Sequence, residues 1–113
     1  MVPVVGNYYR TEAEHKQYNQ LRSGSSVSLV FDRDNKYDVN AIKVVSNERY
    51  TLGFLSMSDA ALIAKMLRTA IEQNESTICM YDIRGKFSMT AVVNKPASIS
   101  SRLILEIKSV TLK

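Results

Sequence analysis

The hydrophobic positions of the chain fall into short runs that are typical of β-strands. These runs are rich in β-branched and aromatic residues and lie at 2–9, 27–31, 41–45, 50–55, 77–83, 87–93 and 103–110. Asp and Asn crowd residues 32–40, and because such side chains bond their own backbone they predict a long loop between two strands. Gly85, between Arg84 and Lys86, predicts a tight turn, so 77–93 is expected to form a hairpin.

One segment has the period of a helix instead. Ser58-Asp59 supplies an N-cap signal, and apolar residues then recur at i, i+1, i+4 and i+5. The members of this stripe are Leu62, Ile63, Met66, Leu67, Ala70 and Ile71. The pattern predicts an amphipathic helix over about 58–73 whose apolar stripe packs on the core. The polar stretch 10–20 fits either a short helix or a loop.

The order of these elements predicts a mostly β fold with one central helix. After the β-rich N-terminal stretch, three strands precede the helix and two or three follow it. Five or six short strands with a helix between the third and the fourth suit a small OB-like β-barrel, and a half-open α+β barrel is the alternative. A chain of 113 residues has room for one domain, which is expected to span 1–113.

The inventory of reactive residues argues against most enzyme classes. Cys79 and His15 are the single members of their residue types, which excludes a disulfide framework and a cysteine-based zinc site. The glycine-rich and zinc-binding motifs of common cofactor and metal enzymes are missing as well. No apolar run is long enough for a membrane span. We therefore expect a binding module with no catalytic residues, no cofactor and no metal.

The net charge of +4 is unevenly distributed along the chain. Residues 1–75 hold nine Lys/Arg and nine Asp/Glu, whereas residues 76–113 hold six basic and two acidic residues. A basic last third can line a phosphate-binding face. It can equally be the solvated side of ordinary strands, because alternation directs every second residue into water.

One cluster of polar and aromatic residues suggests a nucleotide-end site. Tyr37, Asp38 and Lys43 lie in and just after the long loop. An aromatic face stacks on a base, a carboxylate accepts a hydrogen bond from a sugar hydroxyl but repels phosphate, and a lysine attracts phosphate. The alternative is a loop capped by its own Asp and Asn side chains, with Tyr37 as a lid on the core.

Several motifs, taken in order, resemble the HIRAN domain family. They are Val5-Gly6, Tyr8-Tyr9, Tyr37-Asp38-Val39-Asn40-Ala41-Ile42-Lys43-Val44, Leu52-Gly53-Phe54-Leu55 and the alanine-rich helix start at Ala60. This family occurs in the N-terminal part of helicase-like transcription factor proteins and also alone in bacteria and phages. The resemblance covers about 4–93 and implies a stand-alone bacterial or phage member, with 94–113 as a loop plus the last strand.

The resemblance implies a modified OB-like barrel that captures the free 3′-hydroxyl end of single-stranded DNA in repair, replication or recombination. By the motif match, Tyr37 stacks on a terminal base and Asp38 bonds the 3′-hydroxyl. Tyr8 and Tyr9 match paired tyrosines near the pocket, and Phe87 matches a late aromatic that holds a base. The further expected DNA-binding residues are Arg10, Lys43, Phe54, Arg84 and Lys86, of which Lys43, Arg84 and Lys86 approach phosphates.

The chain departs from the family pattern at three places. Asn7 stands where DNA-binding members carry a basic residue, and Arg10 comes only after the paired tyrosines. Lys36 replaces a proline, and Ser56 or Met57 replaces a basic residue. These departures bear on DNA affinity rather than on the fold.

The expected partners follow from this hypothesis. They are a single-stranded DNA 3′ end and, among proteins, a helicase or a nuclease, with no membrane and with a monomer or a weak oligomer as the assembly. The expected location is cytoplasmic, on the nucleoid if the source is bacterial. The rival hypothesis is a HIRAN-fold protein–protein interaction module with weak or no DNA binding.

Overall fold

The computed structural model of the chain describes residues 1–6, 10–32, 35–73, 87–98 and 102–112. Over these residues the elements are, in chain order, β1 (Val2–Val5), α1 (Glu12–Gln20), β2 (Ser26–Phe31), β3 (Ile42–Val45), β4 (Thr51–Leu55), α2 (Met57–Gln73), β5 (Phe87–Lys95) and β6 (Ile104–Leu112).

The six strands form a closed antiparallel barrel in the order β1-β4-β3-β2-β5-β6. The short β1 completes the barrel, because it pairs with β4 through Val4 and Leu55 and with β6 through Val2 and Leu105. The prediction of a small OB-like β-barrel is thereby confirmed, and the half-open alternative is wrong.

The core follows from the alternation of apolar residues along the strands. On β2, Val27, Leu29 and Phe31 are buried, while the residues between them face outward. Each helix adds to the same core cluster, α1 through Tyr18 and α2 chiefly through Leu67. The phenol of Tyr18 is buried without penalty because it accepts a hydrogen bond of 3.0 Å from the backbone N–H of Leu103.

The polar stretch 10–20, which left helix and loop open, forms a helix because its first turn is capped on both sides. The backbone N–H of Glu14 donates to the Thr11 hydroxyl at 3.2 Å, and the N–H of Thr11 donates to the Glu14 carboxylate at 2.9 Å. This reciprocal capping box satisfies two N–H groups that a helix N-terminus leaves unpaired. Gln17 then joins α1 to the barrel through a 3.0 Å bond to Glu48.

The predicted start of α2 at Ser58-Asp59 is wrong by a short step. Ser56 is the N-cap, since its hydroxyl accepts the N–H of Asp59 at 3.2 Å and its carbonyl accepts the N–H of Ala60 at 2.9 Å. Asp59 lies three positions after this cap, and the Ser56 hydroxyl also donates a hydrogen bond of 2.9 Å to its carboxylate. The helix therefore begins at Met57.

The predicted core stripe of α2 is half wrong. Leu67 is buried and Ile63 is half-buried, but Leu62 and Met66 are 58% and 62% exposed. At about 100° per residue, Leu62 projects roughly 140° away from Leu67. The core side is completed instead by Ala60 and Ala64, whose small side chains let the helix lie close to the barrel. The side chains at 70 and 71 lie outside the described part of the stripe.

β5, which covers the second strand of the predicted hairpin over 77–93, pairs with two neighbouring strands of the barrel. From Met89 to Val92 one edge of β5 pairs with β2, and the other edge pairs with β6. Closure of the barrel thus occupies both edges of this stretch. The predicted strand 77–83 and the turn 84–86 lie outside the described residues. β5 also continues past the predicted break as far as Lys95, with an irregular register between Val93 and Lys95.

In the part of the chain that the structure describes, neither helix combines the length and apolar character that crossing a membrane requires.

Candidate nucleic-acid interface

Loop 35–40 connects β2 to β3 and is held by its own side chains. The side-chain oxygen of Asn35 accepts the backbone N–H groups of Tyr37 and Asp38, both at 2.9 Å. The carboxylate of Asp38 in turn accepts the N–H of Asn40 at 2.9 Å. The backbone N–H of Asp32 donates a hydrogen bond of 2.8 Å to the carbonyl of Ala41 and closes the base of the loop. Loop 35–40 is therefore a preorganised element.

Within this loop an aromatic residue and a carboxylate stand next to each other in different environments. Tyr37 is 96% exposed, whereas Asp38 is half-buried and fixed through one carboxylate oxygen. The alternative interpretation of the loop was right about the Asp and Asn caps but wrong about Tyr37, which does not cover the core. The loop presents a free aromatic face beside an anchored hydrogen-bond acceptor.

A row of outward-facing side chains crosses four strands at the surface of the barrel. Val30, Lys43, Phe54 and Val5 are consecutive cross-strand partners on β2, β3, β4 and β1. Lys43 faces outward because it alternates with the buried residues Ile42 and Val44. We call these four residues the outer row. Its centre is the aromatic ring of Phe54, with a cation on the neighbouring strand.

Arg10 lies over the outer row. Its guanidinium carbon is 5.5 Å from the centroid of the Phe54 ring, which is cation–π geometry. On its other side Arg10 reaches the carboxylate of Glu14 at 4.0 Å. Its Nε atom is buried and has no hydrogen-bond partner among the residues that the structure describes. Arg10, Phe54 and Lys43, three of the predicted DNA-binding residues, are thus brought together on one face.

Two glycines allow β1 and β4 to carry this face. A Cβ on Gly53 would lie 2.5 Å from the carbonyl oxygen of Val5 and 2.6 Å from a methyl carbon of Val4. The register of β4 against β3 is irregular next to Gly53, so that Leu52 and Leu55 both face the core while Phe54 faces outward. Gly6 has a φ of 75°, and a Cβ there would touch the Phe54 ring at 3.4 Å.

Glu14 adds a fixed negative charge behind Arg10. Partial burial raises the pKa of this carboxyl, but hydrogen bonds with Thr11 and the positive charge of Arg10 lower it, and the net result is a pKa below its ordinary value. Glu14 is therefore ionised at neutral pH, and its negative charge lies 4.0 Å from the guanidinium of Arg10.

The other predicted site residues divide into two groups. Tyr8, Tyr9, Arg84 and Lys86 lie outside the described residues. Phe87 begins β5, where its backbone pairs with Leu112. Because Met89 pairs with Leu29 on β2, the start of β5 lies at the same end of the barrel as loop 35–40.

Sequence reasoning missed the residue that organises loop 35–40. The composition of 32–40 treats Asn35 as one turn former among several, whereas in the structure it accepts two backbone N–H groups. The available signal was its position two residues before Tyr37, since Asn side chains commonly bond the backbone two residues ahead.

Metal binding has no support in the described part of the chain. No group of three or more His, Cys, Asp or Glu side chains converges there. The chemistry available at this surface is that of stacking, hydrogen bonding and charge.

Comparison with solved structures shows the same fold in two proteins. A protein from Lactobacillus plantarum is 23% identical, with 92% of this chain and 84% of that chain covered and a TM-score of 0.64. The HIRAN domain of human HLTF is 24% identical, with coverage of 94% and 69% and a TM-score of 0.58. A search of curated protein sequences finds no match.

The sequence itself matches a family model. The model of the HIRAN domain matches residues 1–103, which includes β1, loop 35–40, the outer row and α2. HIRAN domains are known generally as DNA-binding modules that are not catalytic by themselves. The chain therefore belongs to the HIRAN domain family.

Proposed function

We propose that the chain is a non-enzymatic module that binds the free 3′-hydroxyl end of single-stranded DNA, for use in DNA repair, replication or recombination. The observation that carries this proposal is the pairing, in loop 35–40, of the exposed ring of Tyr37 with the anchored carboxylate of Asp38. Membership of a DNA-binding family supports DNA as the ligand.

Tyr37 is the proposed stacking residue. The ring of Tyr37 is 96% exposed, so its aromatic face is open to a ligand. A base stacked on such a ring contributes roughly 1–3 kcal/mol and does so with little regard to sequence. The backbone N–H of Tyr37 is fixed by Asn35, so the loop backbone loses little conformational entropy on binding.

Asp38 is the proposed source of polarity. One of its carboxylate oxygens accepts the Asn40 N–H, and the other receives no hydrogen bond from a described residue. That oxygen can accept a bond from a 3′-hydroxyl, whereas it would repel a 3′-phosphate or a continuing phosphodiester. A charge-assisted hydrogen bond of this kind contributes about 1.5–3 kcal/mol. Asp38 would thus select a strand end over an internal segment.

Phosphates are the proposed ligands of the cations near the site. Lys43 on the outer row and Arg10 above Phe54 supply two of these charges. The family resemblance adds Arg84 and Lys86 as phosphate contacts, with Tyr8, Tyr9 and Phe87 as aromatic contacts to the last bases. Arg10 would take over the role of the basic residue that Asn7 replaces.

A titration with two matched oligonucleotides tests the proposal. A short fluorescent single strand is prepared with a 3′-hydroxyl and with a 3′-phosphate, and its anisotropy is followed at moderate salt. The wild-type chain should prefer the hydroxyl end about tenfold or more. Equal affinity for both ends, or no binding below about 100 μM, would refute the 3′-end function.

Asp38→Asn is the informative variant. The remaining side-chain oxygen can still accept the Asn40 N–H, so the loop should keep its shape, but the new amide group cannot accept a hydroxyl. The preference for the 3′-hydroxyl should disappear. Glu12→Gln is the matched control, because it removes one exposed negative charge from α1 and should change affinity for both ends equally.

A second candidate function rests on the outer side of α2. Leu62 and Met66 stand one turn apart and are both mostly exposed, and Met57 is also exposed at the start of the helix. An apolar face of this kind supports the rival hypothesis of a protein-binding module. If no oligonucleotide binds, Leu62→Lys should be tested for loss of a helicase or nuclease partner in a co-purification experiment.

A further inference from the structure

The end of the barrel opposite loop 35–40 gathers three cations from three segments of the chain. Arg22 lies before β2, Lys95 ends β5 and Arg102 lies just before β6. All three side chains are exposed, and none forms an ion pair with another described residue. We call these three residues the basic end.

The backbone holds the three segments of the basic end side by side. Gly24 donates to the carbonyl of Val93 at 2.7 Å, and the Ser23 hydroxyl donates to the carbonyl of Asn94 at 3.1 Å. Lys95 is the cross-strand partner of Ile104, two residues after Arg102. Arg22, Lys95 and Arg102 therefore lie at the same end of the barrel, where β2, β5 and β6 are joined.

The surroundings of the basic end are polar but not acidic. An open groove runs between the end of α1 and the segment after β5, and its lining includes Asn19, Gln20, Arg22, Ser23 and Pro96. No Asp or Glu occurs in 19–25, in 94–98 or at 102–103. The carbonyl end of α1 carries a partial negative charge, but three whole positive charges outweigh it.

We propose that the basic end binds the sugar–phosphate backbone of the DNA strand whose 3′ terminus is held at loop 35–40, on the 5′ side of the terminal nucleotides. The inference rests on the proposed function. β2 runs from the basic end to loop 35–40 and spans about 17 Å at roughly 3.3 Å per residue. OB folds typically cover roughly 4–16 nucleotides, so a bound strand is long enough to reach both ends.

The positive charges of the basic end favour contacts with phosphates over contacts with bases. Exposed Arg and Lys side chains neutralise phosphates and release counterions, which gives binding without sequence preference. Among the described residues, the groove beside the basic end is lined by no aromatic side chain on which a base could stack. The contribution should therefore appear as a gain in affinity with strand length and as a steeper salt dependence.

The experiment compares labelled oligothymidylates of about three and about ten nucleotides, each with a 3′-hydroxyl or a 3′-phosphate. For the wild type, lengthening the strand should raise affinity about tenfold at low salt and steepen the salt slope by about 2, the value for three phosphate contacts on a single strand. The length gain should occur with either terminus, since the basic end does not read the 3′ group.

Two variants with equal net charge decide whether position matters. Lys95→Gln with Arg102→Gln should remove most of the length gain and leave the 3′-hydroxyl preference of the short strand intact. The matched control is Lys65→Gln with Lys108→Gln, which removes two exposed charges on α2 and on the middle of β6, where Lys108 already pairs with Glu106 at 3.2 Å. This control should keep the length gain.

The outcomes separate the inference from the proposed function. An unchanged length gain in the Lys95 and Arg102 variant, an equal loss in the control, or no length gain in the wild type would overturn the basic end as a DNA surface. Equal binding of the two short strands, with a length gain that depends on Lys95 and Arg102, would instead refute end reading and keep the basic end. Thermal melting of each variant verifies that the barrel is folded.

Discussion

Loop 35–40 and the pair formed by β1 and β4 hold their parts of the candidate site by different physical means. The loop is shaped by hydrogen bonds between its own residues, centred on Asn35. The β1–β4 pair is shaped by close contact between two strands far apart in sequence, where Gly53 leaves no space beside Val5. A local change should therefore disturb the loop alone, whereas a change in the β1–β4 pair should disturb the whole barrel.

The largest expected effect comes from Gly53→Ala. The added methyl group would lie 2.5 Å from the carbonyl oxygen of Val5, so β1 must move away from β4. We expect a loss of about 3 kcal/mol or more in the free energy of unfolding, measured with urea. Arg10 and Phe54 should separate at the same time, because Phe54 follows the substituted position.

Gly24→Ala is the matched control for Gly53→Ala. Gly24 also has a positive φ, of 89°, but nothing lies within 4 Å of a Cβ there. Only backbone strain should lower the free energy of unfolding, by about 1–2 kcal/mol. If the two alanine variants lose equal stability, the close approach of β1 and β4 is not what distinguishes Gly53.

An intermediate effect is expected from Asn35→Ala. Two backbone N–H groups of loop 35–40 would lose their acceptor, which should cost about 1–2 kcal/mol in the free energy of unfolding. The preference for a 3′-hydroxyl should fall together with this stability, since Asp38 would lose its fixed position. Urea denaturation and the anisotropy titration measure the two effects separately.

Asn47→Ala is the corresponding control on another turn. Asn47 is exposed in the turn between β3 and β4, and its side chain makes no hydrogen bond to a described residue. Its replacement should leave both stability and end preference nearly unchanged. A variant at Asn35 that loses stability but retains the full end preference would mean that the loop does not preorganise Asp38.

The same contrast explains how much could be predicted from the sequence. The Asp- and Asn-rich segment 32–40 predicts a self-capped loop, because the residues that bond each other are neighbours in the chain. The barrel was predictable from the number and length of the strand-like runs. The exposure of Tyr37 could not be predicted, since a pattern of residue types does not show whether the loop folds back on the core.

What the sequence could not supply are contacts between distant segments. The position of Arg10 over Phe54 depends on the pairing of β1 with β4, and nothing within either segment predicts it. The mistaken interpretation of Leu62 has a related cause. Helical spacing shows that α2 has two faces, but the barrel surface decides which face is buried, and here it selects Ala60 and Ala64 over the larger Leu62.

The smallest expected effect tests the charge of Glu14, whose carboxylate faces Arg10. In the folded chain the pKa of Glu14 is lowered from its ordinary value of 4.5. A lowered pKa means that the ionised form stabilises the fold above pH 4.5 and that this contribution is lost as the pH falls through the folded pKa. Wild type should therefore be more stable than Glu14→Gln at pH 7, and the difference should shrink below about pH 4.5.

Glutamine is the suitable replacement because its side-chain oxygen can still accept the Thr11 N–H and keep the capping box, so that the charge alone is removed. At neutral pH the difference should be roughly 0.3–1 kcal/mol, as for other carboxylates at helix N-termini and exposed ion pairs. Thermal melting of both proteins between about pH 3 and pH 7 measures it. A difference that stays constant over this range would show that the charge of Glu14 does not stabilise the fold.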